Sequence, residues 1–294
     1  MTNDRTAKNC PMISTVIAVI GALALVIGFM LVSVDFTVSN KYFYNYIWAK
    51  YDVYEDADKY LKLPESEMVK IRDGLIAYFS GKSDSLQTYV IFKDETEPRP
   101  FYIEYPGHTN AKWCKDEHGN IPECELCHMV DVWYIFRDVR IAGWVLFPAG
   151  LVMLGTLVFL YFWRQKKRCG DEKDGKKNRG FSVALRAMPT LKPLFRGLVI
   201  GPSIFLGIFG ILGIIIASDF DGAFWVFHEL FFPHGNWSFG NMTTVLIGEL
   251  FMEAAFIILG CGLGMAGLVI AAGIVPERMF KRKQSKELTD LTEK

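Results

Sequence analysis

The sequence predicts an all-α polytopic membrane protein, four transmembrane helices with a mixed extracytoplasmic cap. Three observations lead there. Hydrophobic residues fill 51% of the 294 positions, yet 22% are charged. Mean hydropathy is +0.21, so the apolar residues are gathered into runs rather than spread through a soluble core. Four of those runs are long enough to cross a hydrocarbon layer of about 30 Å, which takes roughly 20 residues.

Residues 1–33 hold a short tail and the first span, whose uncharged stretch is MISTVIAVIGALALVIGFMLV. It exceeds the roughly 7–15 apolar residues of a signal peptide, and LVSVDFTVSN after it offers no small-x-small cleavage pattern. It is therefore read as a retained span. Residues 34–140 form a large polar segment. Residues 141–163 are the second span, in which Pro148 is a tolerated interruption. Residues 164–197 are a basic connector beginning RQKKRCGDEKDGKKNR. The third span covers 198–217, an aromatic segment covers 218–249, and the fourth span covers 250–275 with Glu253 inside it. Residues 276–294 are a basic tail.

Charge sets the orientation. Arg5, Lys8, the connector and the tail concentrate the bases next to spans, and such bases stay cytoplasmic. Both termini are then inside, and the 34–140 and 218–249 segments lie outside. The formal net charge of +0 carries no message of its own. Lysines beside spans anchor them or touch anionic lipid, so no nucleic-acid partner is expected.

Within the outer segment, FTVSNKYFYNYIWAKYDVYEDADKYLKLP mixes aromatics and charges without a continuous apolar core. Residues 65–79 place Met68, Ile71, Leu75, Ile76 and Phe79 at helical spacing, which predicts an amphipathic helix led in by Pro64. A turn follows, with short strands around 89–92 and 101–105. The many aromatics suit anchoring in the headgroup layer, with a few lining a lipid entrance.

Cys114, Cys124 and Cys127 cluster in CKDEHGNIPECELCH, interleaved with His118 and His128. Oxidation to a disulfide, a tetrahedral structural zinc and neither are all open at this point. Cys10, Cys169 and Cys261 are separated from that group by topology and read as structural.

Two histidines carry the sharper chemistry. His128 precedes Asp131 by three positions, so a helix places both on one face. A carboxylate there orients the ring and raises its basicity. Arg137 and Arg140 lie farther along the same helix, within reach of lipid phosphate or a substrate carbonyl. Ordinary interfacial ion pairs are the plainer reading of these charges. His228 sits among Phe224, Trp225, Phe227, Phe231 and Phe232, partly shielded from water. Packing alone also accounts for such an aromatic face.

Glu249 and Glu253 stand four apart near or within the fourth span. Carboxylates at membrane depth are costly unless paired or hydrated, so Glu253 faces the bundle interior, a water pocket or a basic partner such as Arg140, while Glu249 suits the boundary. Glycines in the third and fourth spans, over 201–213 and 260–267, favour close helix approach. No HExxH, GxSxG or phosphate-binding glycine loop is present.

The HMVDV run (His128 to Val132) and the FHELFF run (Phe227 to Phe232), followed by Trp237, resemble motifs of the DUF1461 integral membrane family of lipoprotein intramolecular transacylases. The resemblance covers most of the chain, including the four spans. It implies an enzyme that acts on diacylglyceryl-modified lipoproteins in the membrane. The glycerol sn-2 acyl group moves to the N-terminal cysteine amine, giving a lyso-form lipoprotein, and no cofactor takes part. The family histidines fall on His128 and His228. His128, oriented by Asp131, is then the general base. His228 protonates the departing glycerol oxygen or polarises the carbonyl, with the reverse assignment open. Arg137 or Arg140 stabilises oxygen charge, and Phe227, Phe231 and Trp237 seat acyl chains. Glu249 and Glu253 support the site.

The Cys114, Cys124, Cys127 and His118 cluster lies outside that family pattern and leaves room for a structural zinc. The competing class is a non-enzymatic membrane interaction or metal-binding protein using the cysteine-rich cap. A transporter fits less well, since no internal repeat is evident. The sequence shows no oligomer.

Overall fold

The computed structural model describes residues 4–101, 125–170, 191–232 and 241–292. Four helices are long and apolar enough to cross a membrane: Met12–Val38, His128–Trp163, Lys192–Ser218 and Val245–Met279. They belong to α1 (Asp4–Val38), α5 (Glu125–Gly170), α6 (Lys192–Ser218) and α8 (Asn241–Thr292). Between the first two spans stand α2 (Lys41–Lys50), α3 (Val53–Leu61), α4 (Glu65–Phe79), β1 (Tyr89–Val90) and β2 (Arg99–Pro100). Helix α7 (Phe220–Phe231) lies between the last two spans.

The chain forms two compact units. Unit 1 holds residues 1–30, 143–211 and 261–294, and unit 2 holds 31–142 and 212–260.

Unit 1 is built on small residues. Ala18, Ala22, Leu25, Val26, Phe205, Ala266 and Val269 are buried. A Cβ on Gly28 would collide with the backbone of Phe147, and one on Gly150 would lie 2.6 Å from the Leu25 amide nitrogen. Helix α1 therefore meets α5 backbone to backbone, and Gly197 gives α6 the same approach to Ala18. Close approach recovers dispersion contacts where no hydrophobic drive separates protein from lipid. Of the glycines expected to serve this purpose, Gly201 and Gly262 do so. A Cβ on Gly207, Gly210, Gly213, Gly260, Gly264 or Gly267 would meet nothing within 4 Å.

Unit 2 is larger-grained. The segment that lacked a continuous apolar run folds as α2 and α3 and supplies Phe43, Tyr44, Ile47, Trp48, Val53 and Ala57 to a buried core. Asn40 caps α2, its side chain accepting the Tyr42 N–H at 3.0 Å, a residue type suited to that task. Helix α4 forms as expected, with Pro64 at its N-cap and Met68, Ile71, Leu75, Tyr78 and Phe79 buried. Tyr78 replaces the expected Ile76, which is half-buried.

The strands are antiparallel, with Tyr89 opposite Pro100 and Val90 opposite Arg99. The second described strand is Arg99–Pro100, and just past it the buried Phe101 donates its N–H to the Thr88 carbonyl at 2.7 Å. Residues 102–105 lie outside the described ones. Burial also pushes up the pKa of the Tyr44 hydroxyl, which stays protonated and donates to the Val38 carbonyl at 3.1 Å.

Candidate active site

Among the described residues, the buried polar side chains are Ser33, Thr37, His128, Asp131 and His228. Three of these five carry the chemistry singled out above, and all three belong to unit 2. His128 and Asp131 are 5% and 6% exposed and share α5 at a spacing that keeps them on one face.

Helix α7 is an inverted case. Asp219 caps it, accepting the Gly222 N–H at 2.9 Å. Trp225, Val226, Leu230 and Phe231 are exposed, while His228 is 4% exposed. Water-soluble packing would bury the leucine and expose the histidine. The opposite choice suits a helix whose apolar side meets lipid and whose polar side closes on a site. Glu229 is exposed, turned away from His228 as the helical period requires.

The two histidines pack against one aromatic ring. Phe232, itself buried, lies 4.7 Å from the His128 ring and 5.4 Å from the His228 ring, centroid to centroid. His228 is nearly parallel to Phe232, with 25° between the planes, and also packs on Phe224 at 3.9 Å. Nδ1 of His228 lies 2.8 Å from the Phe224 carbonyl. A carbonyl only accepts, so Nδ1 carries a proton and Nε2 is the nitrogen that can exchange one.

Other predicted residues are distributed around this pair. Phe227 packs on His228 at 5.2 Å and on Phe231 at 4.8 Å, and both phenylalanines are exposed on their outer side. Arg137 pairs with Asp138 at 2.8 Å and lies over the Trp133 and Tyr134 rings. Arg140 donates to Asp35 at 2.7 Å and to the Phe79 carbonyl. Glu253 is held by Lys50 and Tyr51, both on its Oε1, in place of the anticipated Arg140. That carboxylate raises the pKa of Lys50. Glu249 is exposed, and Trp237 lies outside the described residues.

Phe232, Lys50, Tyr51 and Asp35 were not singled out by sequence. Phe232 stood in the FHELFF run, but nothing local distinguishes it from Phe231. The side-chain partners of Glu253 and Arg140 lie more than a hundred positions away.

The structural zinc expected at the outer cysteines is overturned. Such an ion needs about four converging donors, and among the described residues no three His, Cys, Asp or Glu are placed to hold a metal. His128 is turned against Phe232 instead. Cys114, His118, Cys124 and the Cys127 side chain lie outside the described residues.

Comparison with known proteins agrees with the geometry. The sequence model of the family described as "Lipoprotein intramolecular transacylase Lit" matches residues 19–253. The chain belongs to that family. Two solved structures of the membrane-integral lipoprotein intramolecular transacylase Lit from Bacillus cereus share its fold. One, carrying a histidine-to-arginine mutation, is 18% identical with a TM-score of 0.57, covering 97% of this chain and 100% of that one. The other is 19% identical with a TM-score of 0.53, covering 94% and 99%. No curated protein matches the sequence. The chain is thus an integral membrane enzyme that performs the family's intramolecular acyl transfer on diacylglyceryl lipoproteins.

Proposed function

We propose that His128 and His228 are the two proton-transfer groups of this reaction, with the glycerol sn-2 ester as acyl donor and the α-amine of the same lipidated cysteine as acceptor. The observation that carries this reading is the burial of both imidazoles against the one Phe232 ring. The amine nitrogen attacks the ester carbonyl, and a base removes its proton. The C–O bond to glycerol then breaks, and an acid returns a proton to the leaving oxygen. One amide forms, one ester is lost, and nothing else is consumed.

His128 is the base, with Asp131 holding its ring. His228 delivers the proton through Nε2, since Nδ1 is engaged with Phe224. Both nucleophile and electrophile ride on one cysteine, so proximity supplies part of the rate. Positioned acid–base groups contribute about 10²- to 10⁴-fold more. Phe227, Phe231 and Trp237 seat acyl chains, and Arg137 meets a lipid phosphate or the ester carbonyl. The basic connector and tail support a reading with both termini in the cytoplasm and the site on the extracytoplasmic face.

The test is mass spectrometry of a synthetic diacylglyceryl-cysteine peptide incubated with wild-type, His128→Ala and His228→Ala protein in lipid. The expected product has unchanged mass, and fragmentation places one acyl chain on the amine. Loss of this product in either variant supports the pair. Full transfer in either one removes that histidine from the mechanism.

A further inference from the structure

We propose that Tyr78 is a positioning residue for the acyl transfer, setting the rotation of α5 about its axis through a hydrogen bond to the turn that carries His128 and Asp131. The inference rests on the reading of His128 as a proton-transfer group whose ring Asp131 holds. Tyr78 is 2% exposed, and its hydroxyl donates to the Met129 carbonyl at 3.1 Å. Met129 is likewise buried.

A hydroxyl at this place needs a reason. The ring packs against Phe79 and Trp133, at 5.7 and 6.3 Å, surroundings that a phenylalanine would fill as well. The Met129 carbonyl lies within a helix and takes its helical donor on one lone pair. The Tyr78 hydroxyl takes the second. Helix formation does not require that bond, and its effect is to index the helix against α4.

The rest of the contact has the same sense. Phe79 meets Phe136 at 4.9 Å, and its carbonyl receives Arg140. Gly81 holds a φ of +71°, and a Cβ there would lie 2.5 Å from Arg140 Nη1. Met129, Trp133, Phe136 and Arg140 form one stripe along α5, and all four are gripped by the end of α4 and the turn after it. At 3.6 residues per turn, His128 and Asp131 project roughly 140° around the helix from that stripe. The helix therefore has one face that is held and another that reacts.

This geometry gives the hydroxyl leverage. A rotation of roughly 10° moves a side chain at the helix surface by about 1 Å, and a misplacement of that size can cost about 10²-fold in rate.

The experiment measures kcat and KM for lipopeptide transfer, per mole of monodisperse protein, in Tyr78→Phe, Ile71→Val, Trp133→Phe and His128→Ala, with the Tm of each. Ile71 lies in the same buried core, two turns earlier on α4. The expected result is a fall of about tenfold or more in kcat for Tyr78→Phe with KM nearly constant. Ile71→Val should lower Tm comparably and leave kcat unchanged. Trp133→Phe, which trims the ring contact without touching the hydroxyl, should lower kcat by about threefold.

A Tyr78→Phe kcat within about twofold of wild type overturns the proposal, as does a kcat that tracks Tm across all the core variants. If Tyr78→Phe does not accumulate, an unchanged kcat in Trp133→Phe overturns it. Retained transfer in His128→Ala sinks the underlying reading of the site. Lost transfer in His128→Ala beside an active Tyr78→Phe sinks the positioning role alone.

Discussion

The two units solve the same problem with opposite materials. Unit 1 joins its helices by removing side chains: glycine and alanine let α1 lie against the backbones of α5 and α6. Unit 2 joins its helices by adding polar hooks. Tyr78 donates to the Met129 carbonyl, the Trp48 Nε1–H donates to the Leu246 carbonyl at 3.0 Å, and Lys50 with Tyr51 holds Glu253. Close backbone contact is stiff but carries no chemistry. Polar hooks fix helix rotation as well as separation, which is what a pair of imidazoles from different helices requires. The proposed site belongs to unit 2 for that reason.

The contrast is open to breaking at graded points. The largest effect is expected in unit 1. Gly28→Ala drives a methyl group into the Phe147 backbone and should destabilise by about 3 kcal/mol, read as a loss of monodisperse protein and a lowered Tm. What folds should retain its activity per molecule. Survival with unchanged Tm would remove the claim that backbone approach holds this unit.

Asp131→Asn tests the converse in unit 2. It preserves shape but not charge, and should lower kcat by about 10²-fold with little change in Tm. A variant that loses Tm and keeps kcat would make Asp131 a structural group.

Gly81→Ala forces an L side chain into positive φ and against Arg140. A cost of about 2 kcal/mol is expected, visible in denaturation midpoints. Trp48→Phe deletes one buried donor on Leu246 and should cost about 1 kcal/mol, measured in the same way. An effect larger than that of Gly81→Ala would reverse the ranking of the two anchors.

Glu67→Gln is the mildest. Glu67 accepts the Ile91 N–H at 3.1 Å, and its bond to Lys70 holds its carboxyl below the usual carboxylate range. A lowered folded pKa contributes stability above the unfolded pKa and loses it as pH falls through the folded value. The Tm gap between wild type and Glu67→Gln should therefore be largest near pH 7 and close in acid, corresponding to about 0.5 kcal/mol or less at neutral pH. A gap that widens in acid contradicts the sign.

Legibility in the sequence followed the range of the interaction. The four spans, the α4 helix and the His128–Asp131 spacing are local patterns and were readable from residues alone. Helices α2 and α3 were not, because Tyr42 and Tyr46 are exposed while Tyr44 and Trp48 beside them are buried. Aromatics that serve both the core and the surface blur the helical period. Glu253 reads as costly unless paired or hydrated, but Lys50 lies 203 positions away and nothing local names it. Several span glycines read as contact points, although only tertiary packing decides which of them faces another helix.

The sequence by itself determined a membrane protein, its four spans, the α4 helix and a pair of motifs carrying one histidine each. These follow from hydropathy, helical period and short-range chemistry, all of which act within a few turns of chain. Tertiary structure alone decided that the two histidines share Phe232 and that α4 grips the far face of the His128 helix. Each of those depends on the rotation of one helix against another. Rotation is set by long-range packing and single hydrogen bonds between distant residues.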